Sequence, residues 1–277
     1  MANLAIIGCG YVGRAVAQVW QQQGHTVTVT TTTESRIPEL ETIADRAIVL
    51  HGEDEAGWRS LLPNQTAVLV CMGARNADSY ESTYLGTATT LAKVLPEMPT
   101  VQQVIYTGSY AVYGDHQGAW VDETTPVAPV TRNGEILAAT EQVLLSAAHS
   151  ALNICIFRLG GIYGEGRELA KIYHRVAGTI RPGTGQEAAN WVHLDDIVGA
   201  IAFAYEQHLQ GVYNLVCTVP LTVGEVIDRV CMTHNLPPVT WDASLPNPRS
   251  YNARVSNHKL RSAGYQFLHP EIFELEA

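Results

Sequence analysis

Basic residues are scarce in this sequence: 17 Lys and Arg stand against 27 Asp and Glu, for a formal net charge of −10. Nucleic acid and anionic membranes are therefore poor partners, because clustered cations are what hold both. A phosphorylated small molecule stays admissible, since a few local cations and a helix N-terminus hold one. Metal-type spacing is also missing. The five cysteines, Cys9, Cys71, Cys155, Cys217 and Cys231, include no C-x-x-C pair, so no metal site is expected. Three of them lie in apolar runs, where a reduced, buried thiol is the natural reading. No apolar run approaches the ~18 residues of a membrane span. The opening MANLAIIGCG has neither the basic start nor the cleavage site of a signal peptide. A cytoplasmic chain that begins folding at once, in a strand, is the expectation.

What is present is a chain of 277 residues, 46% of them apolar, enough for one large domain or a domain with a small lobe. Short apolar or β-branched runs at 4–8, 25–30, 47–50, 67–71, 103–107 and 153–158 read as strands. Between some of them, 11–23, 80–95 and 134–149 have helical spacing. Such alternation predicts an α/β fold, a Rossmann doubly wound parallel sheet. Past Gly160 the pattern loosens into the glycine-rich loops GGIYGEGR and RPGTGQ and the proline-rich LPPVTWDASLPNPRS. We therefore assign 1–160 to a dinucleotide-binding domain, to which 190–217 returns, and 161–277 mainly to a small C-terminal substrate lobe.

Gly8-Cys9-Gly10-Tyr11-Val12-Gly13 is a G-x-G-x-x-G placed where a strand ends and a helix begins. In a dinucleotide site the first glycine permits the tight turn, the second lets the backbone approach a pyrophosphate, and the third lets helix pack on strand. The end of the second strand indicates which cofactor. An NAD site carries a carboxylate there for the ribose hydroxyls, whereas this chain has Thr30-Thr31-Thr32-Thr33 and then Arg36. Hydroxyls and a guanidinium suit a 2′-phosphate that a carboxylate would repel. NADP is thus expected ahead of NAD. The cofactor-binding candidates are Gly8, Cys9, Gly10, Tyr11, Val12, Gly13, Thr31, Thr32 and Arg36, with Gly73 and Ala74 just past the strand at 67–71.

Later segments resemble the extended short-chain dehydrogenase/reductase family, the NAD(P)-dependent epimerases and dehydratases. Thr107-Gly108-Ser109-Tyr110-Ala111-Val112-Tyr113-Gly114-Asp115 is similar to its S-S-S-x-x-V-Y-G-D segment, and Glu123-Thr124-Thr125-Pro126 to the E-x-x-P that follows. Arg158-Leu159-Gly160-Gly161-Ile162-Tyr163-Gly164 resembles R-x-x-N-V-Y-G, His193-Leu194-Asp195-Asp196-Ile197 resembles H-V-D-D-V, and Tyr213-Asn214-Leu215 resembles the late Y-N-I/L strand. These landmarks arrive in family order over nearly the whole chain. The resemblance implies an oxidoreductase or epimerase/dehydratase acting on a small carbonyl, hydroxyl or sugar-nucleotide substrate, and it is consistent with a homodimer.

The family's chemistry rests on a serine, a tyrosine whose phenol exchanges the proton, and a lysine that lowers the phenol's pKa. The resemblance puts Ser109 at the serine. It puts Asn133 at the tyrosine and Leu137 at the lysine, because Gly134 and Glu141-Gln142 fix the register of Y-G-x-S-K-x-x-x-E-Q. Asparagine delivers no proton and leucine no charge. The chain is thus an atypical member, with Ser109 and Tyr110 as catalytic candidates. A non-catalytic NADP(H)-binding sensor or scaffold is the alternative. The opening G-x-G-Y-V-G also resembles nucleotide-sugar 6-dehydrogenases, but nothing downstream matches their catalytic cysteine segment. Asp195 and Asp196 are expected to open a helix, where carboxylates favour the dipole.

Overall fold

The computed structural model describes residues 1–245 and 251–273. The last five residues of the proline-rich stretch, 246–250, lie outside them. Its centre is a seven-stranded sheet built on β1 (Asn3–Ile7), β2 (Thr26–Thr31), β3 (Arg46–Val49), β4 (Ala67–Val70) and β5 (Gln103–Ser109). Strands Asn153–Leu159 and Gly211–Leu215 extend it beyond β5, so that the order is β3-β2-β1-β4-β5 and then these two. The β1–β2, β1–β4, β2–β3 and β4–β5 pairings are all parallel. The expected α/β Rossmann sheet is thus the fold.

Strand burial explains why the apolar runs lack alternation. Leu4–Ile7 and all of β4 are buried, as parallel strands covered on both faces must be. Helix α1 (Tyr11–Gln22) lays Val12, Val16, Ala17 and Trp20 on the sheet, a 3.6-residue stripe. The helical spacing at 80–95 resolves less simply: Ser82–Gly86 is wound as a π-turn before the α-helix Thr87–Val94. Thr87 Oγ1 reaches back to the Ser82 carbonyl, at 3.5 Å, across that wide turn.

Two compact units divide the chain. The first comprises Met1–Ser109, Arg132–Arg158 and Ile197–Tyr213. Its core packs one face of the strands against helix Thr87–Val94 through Trp58, Leu62, Leu91, Tyr106 and Ile156, all fully buried. The second comprises Tyr110–Thr131, Leu159–Asp196 and Asn214–Ala277. Within it, Gly161–Tyr163 pairs in parallel with Trp191–His193. Tyr163, Ala189, Cys217, Val226, Val230 and Ile272 form one of its cores. Helix Val223–Thr233 is started by a capping box, Thr222 with Glu225. No described helix is long and apolar enough to cross a membrane.

Candidate functional site

In the first unit a cleft of about 440 Å³ opens over the carboxyl ends of β1, β2 and β4. Chain order places it: β1 leads by way of α1 to β2 on one side, while β4 lies on the other, so the two crossovers part there. Ligands of open parallel sheets bind at such a switch point. The volume lies within the range of small-molecule sites.

The glycine loop forms its floor. Gly8 has φ +92°, and a Cβ there would stand 2.9 Å from Met72 Cα, so a side chain would be both strained and blocked. Its amide donates to Thr30 Oγ1 at 3.1 Å, and the Cys9 amide donates to the Thr30 carbonyl at 3.1 Å, tying the loop to β2. Gly10 would meet nothing within 4 Å on gaining a Cβ, which leaves the face over the loop open to a ligand. Gly13 is packed instead: its Cβ would lie 2.5 Å from the Gly8 carbonyl oxygen. Helix α1 starts at this loop with no side-chain cap and no acidic residue in its first turn. Its first N–H groups and positive dipole end therefore suit an anion. These features fit a dinucleotide pyrophosphate.

Of the residues expected to bind cofactor, Gly8, Cys9, Gly10, Thr31, Thr32, Arg36 and Gly73 line the cleft. Tyr11, Val12, Gly13 and Ala74 stand outside its wall: Tyr11 begins α1, Val12 and Gly13 are buried beneath it, and Ala74 is half-buried past β4. Arg36 Nη2 donates to the Cys9 carbonyl at 3.0 Å, so it braces the loop as well as facing the cleft. Burial pushes the Cys9 thiol up to about 11 despite the pull of Arg36. A thiol so placed is a packing group and a poor nucleophile.

Sequence reading missed Arg75. Its Nη2 donates to Thr32 Oγ1 at 2.9 Å and to Thr33 Oγ1 at 2.5 Å, putting a second guanidinium at the threonine rim. The only hint was a basic residue just past the fourth strand. Glu53, His51, Ser79, Ser82 and Thr83, also unforeseen, line the cleft as well.

Ser109 ends β5, half-buried. Tyr110, the first residue of the second unit, is buried with Tyr113, Val121, Val216, Ala253 and Val255, its ring edge-on to Tyr251 at 5.6 Å. On helix Arg132–Ser146 of the first unit, Asn133 is exposed and Leu137 is buried. One turn further, Glu141 is buried against Arg158, whose Nη2 donates to it at 2.7 Å and whose Nε lies 3.1 and 3.2 Å from its two oxygens. Burial raises the Glu141 carboxyl and Arg158 draws it back down. The neighbouring Tyr106 phenol is fully buried with no hydrogen-bond partner among the described residues. Burial holds it well above the usual phenol range, which disqualifies it as a proton donor near neutrality.

Comparison with known proteins agrees with this geometry. The sequence pattern of the NAD dependent epimerase/dehydratase family matches residues 4–215. Protein YeeZ of Escherichia coli K12 is 30% identical over 222 residues, covering 78% of this chain and 77% of its own. A solved structure of a functionally unknown conserved protein from Silicibacter pomeroyi is 25% identical, with a TM-score of 0.80 over 98% of this chain and 95% of its own. The UDP-Glc/GlcNAc 4-epimerase of Campylobacter jejuni, 19% identical, has the same fold, with a TM-score of 0.81 over 98% of this chain and 96% of its own. With its glycine loop, switch-point cleft and ordered landmarks, the chain belongs to the NAD dependent epimerase/dehydratase family.

Proposed function

We propose that this protein is an NADP-preferring oxidoreductase or epimerase/dehydratase-type enzyme acting on a small carbonyl, hydroxyl or sugar-nucleotide substrate. The observation that carries the cofactor choice is the rim at the end of β2. Thr31, Thr32 and Thr33 stand there with the guanidiniums of Arg36 and Arg75, where an NAD site would put a carboxylate. Bidentate, always-charged donors of this kind suit a phosphate monoester.

Bound NADP(H) supplies hydride chemistry. The chain's own part is to hold the substrate oxygen and move a proton. Ser109 hydrogen-bonds the substrate oxygen from the end of β5, and Tyr110 is the phenol assigned to the proton. Losing a positioned acid/base costs about 10²–10⁴ in rate, so turnover through this altered pair is expected to be slow beside that of relatives with the tyrosine and lysine. The test is NADPH oxidation against a panel of aldehydes, ketones and nucleotide-sugars. Slow turnover abolished by Ser109→Ala, and lost in Tyr110→Phe without loss of NADPH binding, supports the reading.

A second reading has its own observation. Asn133 and Leu137 occupy the family's proton-transfer positions, with Leu137 packed into the core, and Tyr110 is enclosed by apolar side chains. A non-catalytic sensor or scaffold that binds NADP(H) would bind it tightly with no turnover on any substrate, and its partner binding would change with the cofactor.

A further inference from the structure

We propose that His193, Asp195 and His269, in the second unit, bind a divalent transition metal of the zinc class. The cluster is independent of the dinucleotide cleft, and the cofactor reading does not bear on it.

Two neighbouring features hold the three side chains in place. His193 ends the strand Trp191–His193, whose register with Gly161–Tyr163 is fixed by parallel pairing. Asp195 follows in the first turn of helix Leu194–Glu206. The adjacent Asp196, fully buried, receives the amides of Leu268 at 2.7 Å and His269 at 3.0 Å, and the Tyr265 hydroxyl at 3.4 Å. It clamps the backbone that carries His269. The imidazoles are mostly buried and the carboxylate is open to solvent.

The distances suit one cation. Asp195 Oδ2 lies 3.5 Å from His193 Nδ1 and 3.4 Å from His269 Nε2, and one ligating atom from each residue falls within 4.8 Å of the others. Zinc bonds to nitrogen and oxygen near ~2.1 Å imply ligand-to-ligand edges of about 3.4 Å in a tetrahedron. Two edges thus already have that length. The lone pairs argue the same way. His193 Nδ1 accepts the Asp195 amide at 3.2 Å and also faces the Asp195 carboxylate oxygen at 3.5 Å. Two acceptors held together call for a positive centre between them. The two rings lie close, with centroids 3.8 Å apart and an interplanar angle of 38°, which keeps both imidazoles beside the carboxylate. A metal satisfies both imidazoles and the carboxylate at once, taking the Nδ1 lone pair from the amide. Two imidazole nitrogens and a single carboxylate favour zinc and its neighbours over magnesium or calcium, which require oxygen ligands. The exposed side leaves the fourth position to water. Such an ion would pin the C-terminal segment to the start of the helix.

The experiment uses the full chain after dialysis against chelator, titrated with Zn²⁺ by calorimetry and with Co²⁺ by visible absorption. One ion per chain is expected, with a tetrahedral Co²⁺ spectrum. Asp195→Asn and His269→Gln should each weaken binding by about 100-fold or more, beyond the ~10–100-fold typical of outer-shell partners. His234→Gln, at an exposed histidine elsewhere, should leave it unchanged. Asp195 is exposed, so its variant keeps the test valid if the His269 variant folds poorly. Less than one ion per chain, or binding that ignores Asp195→Asn, or equal loss in His234→Gln, overturns the proposal.

Discussion

Arg75→Ala separates the two ways a guanidinium can serve the cleft. Arg75 is exposed and, among the described residues, bonds neutral hydroxyls, those of Thr32 and Thr33. Removing it should therefore alter stability by no more than ~0.5 kcal/mol, as at most surface sites. Against a 2′-phosphate the same group makes charge-assisted hydrogen bonds, each worth about 1.5–3 kcal/mol. Exposure to solvent favours the lower end, a loss of roughly tenfold in affinity. NADH has no phosphate at that position and should bind the variant as it binds the parent. Arg36→Ala provides the contrast. Arg36 also holds the Cys9 carbonyl at 3.0 Å, so its loss should loosen the glycine loop and weaken both cofactors. The assay is quenching of protein fluorescence, or enhancement of nicotinamide fluorescence, titrated in parallel at fixed ionic strength. If Arg75→Ala weakens NADPH and NADH alike, or neither, Arg75 does not read the phosphate.

Arg158→Met leaves the Glu141 carboxylate buried without its partner, which should cost about 3–5 kcal/mol near neutral pH. Burial raises this carboxyl and Arg158 draws it back, so it should rise further in the variant. Stability present below the unfolded value of ~4.3 is lost as pH rises through the raised folded value, and more is lost in the variant than in the parent. The gap in melting temperature between parent and variant should therefore widen from pH 5 to pH 7.5; a constant gap would contradict it. Cys9, with its thiol pushed up to about 11, should resist alkylation at pH 8 in the folded protein and react once the protein is unfolded, as read by peptide mass spectrometry. Rapid labelling of the native chain would show that the loop is more open than described. Ser109→Ala should leave the NADPH dissociation constant within about twofold while lowering any turnover by at least tenfold; unchanged turnover would remove Ser109 from the chemistry.

Local features of the site were legible in the sequence, and those made by long-range pairing were not. Gly8, Gly10 and Gly13 act within one turn, so their spacing carries the geometry that the structure displays. Continuous apolar strands announced a sheet buried on both faces. Arg75 was invisible because its partners lie 42 and 43 residues earlier, brought close only when β2 and β4 flank β1. His269 meets Asp195 across 74 residues, by way of a clamp at Asp196 that no local pattern encodes. The π-turn at Ser82–Gly86 escaped the helical reading for a different reason: the apolar spacing there continues unbroken, while the backbone widens.

On the proposed reading, the threonine and arginine rim of the switch-point cleft selects a 2′-phosphorylated dinucleotide. The most direct test is the pair of dissociation constants for NADPH and NADH on the unaltered protein at low ionic strength. NADPH should bind at least ~tenfold tighter, with the difference shrinking as salt screens the two guanidiniums. Equal affinities, or a preference for NADH, would contradict it.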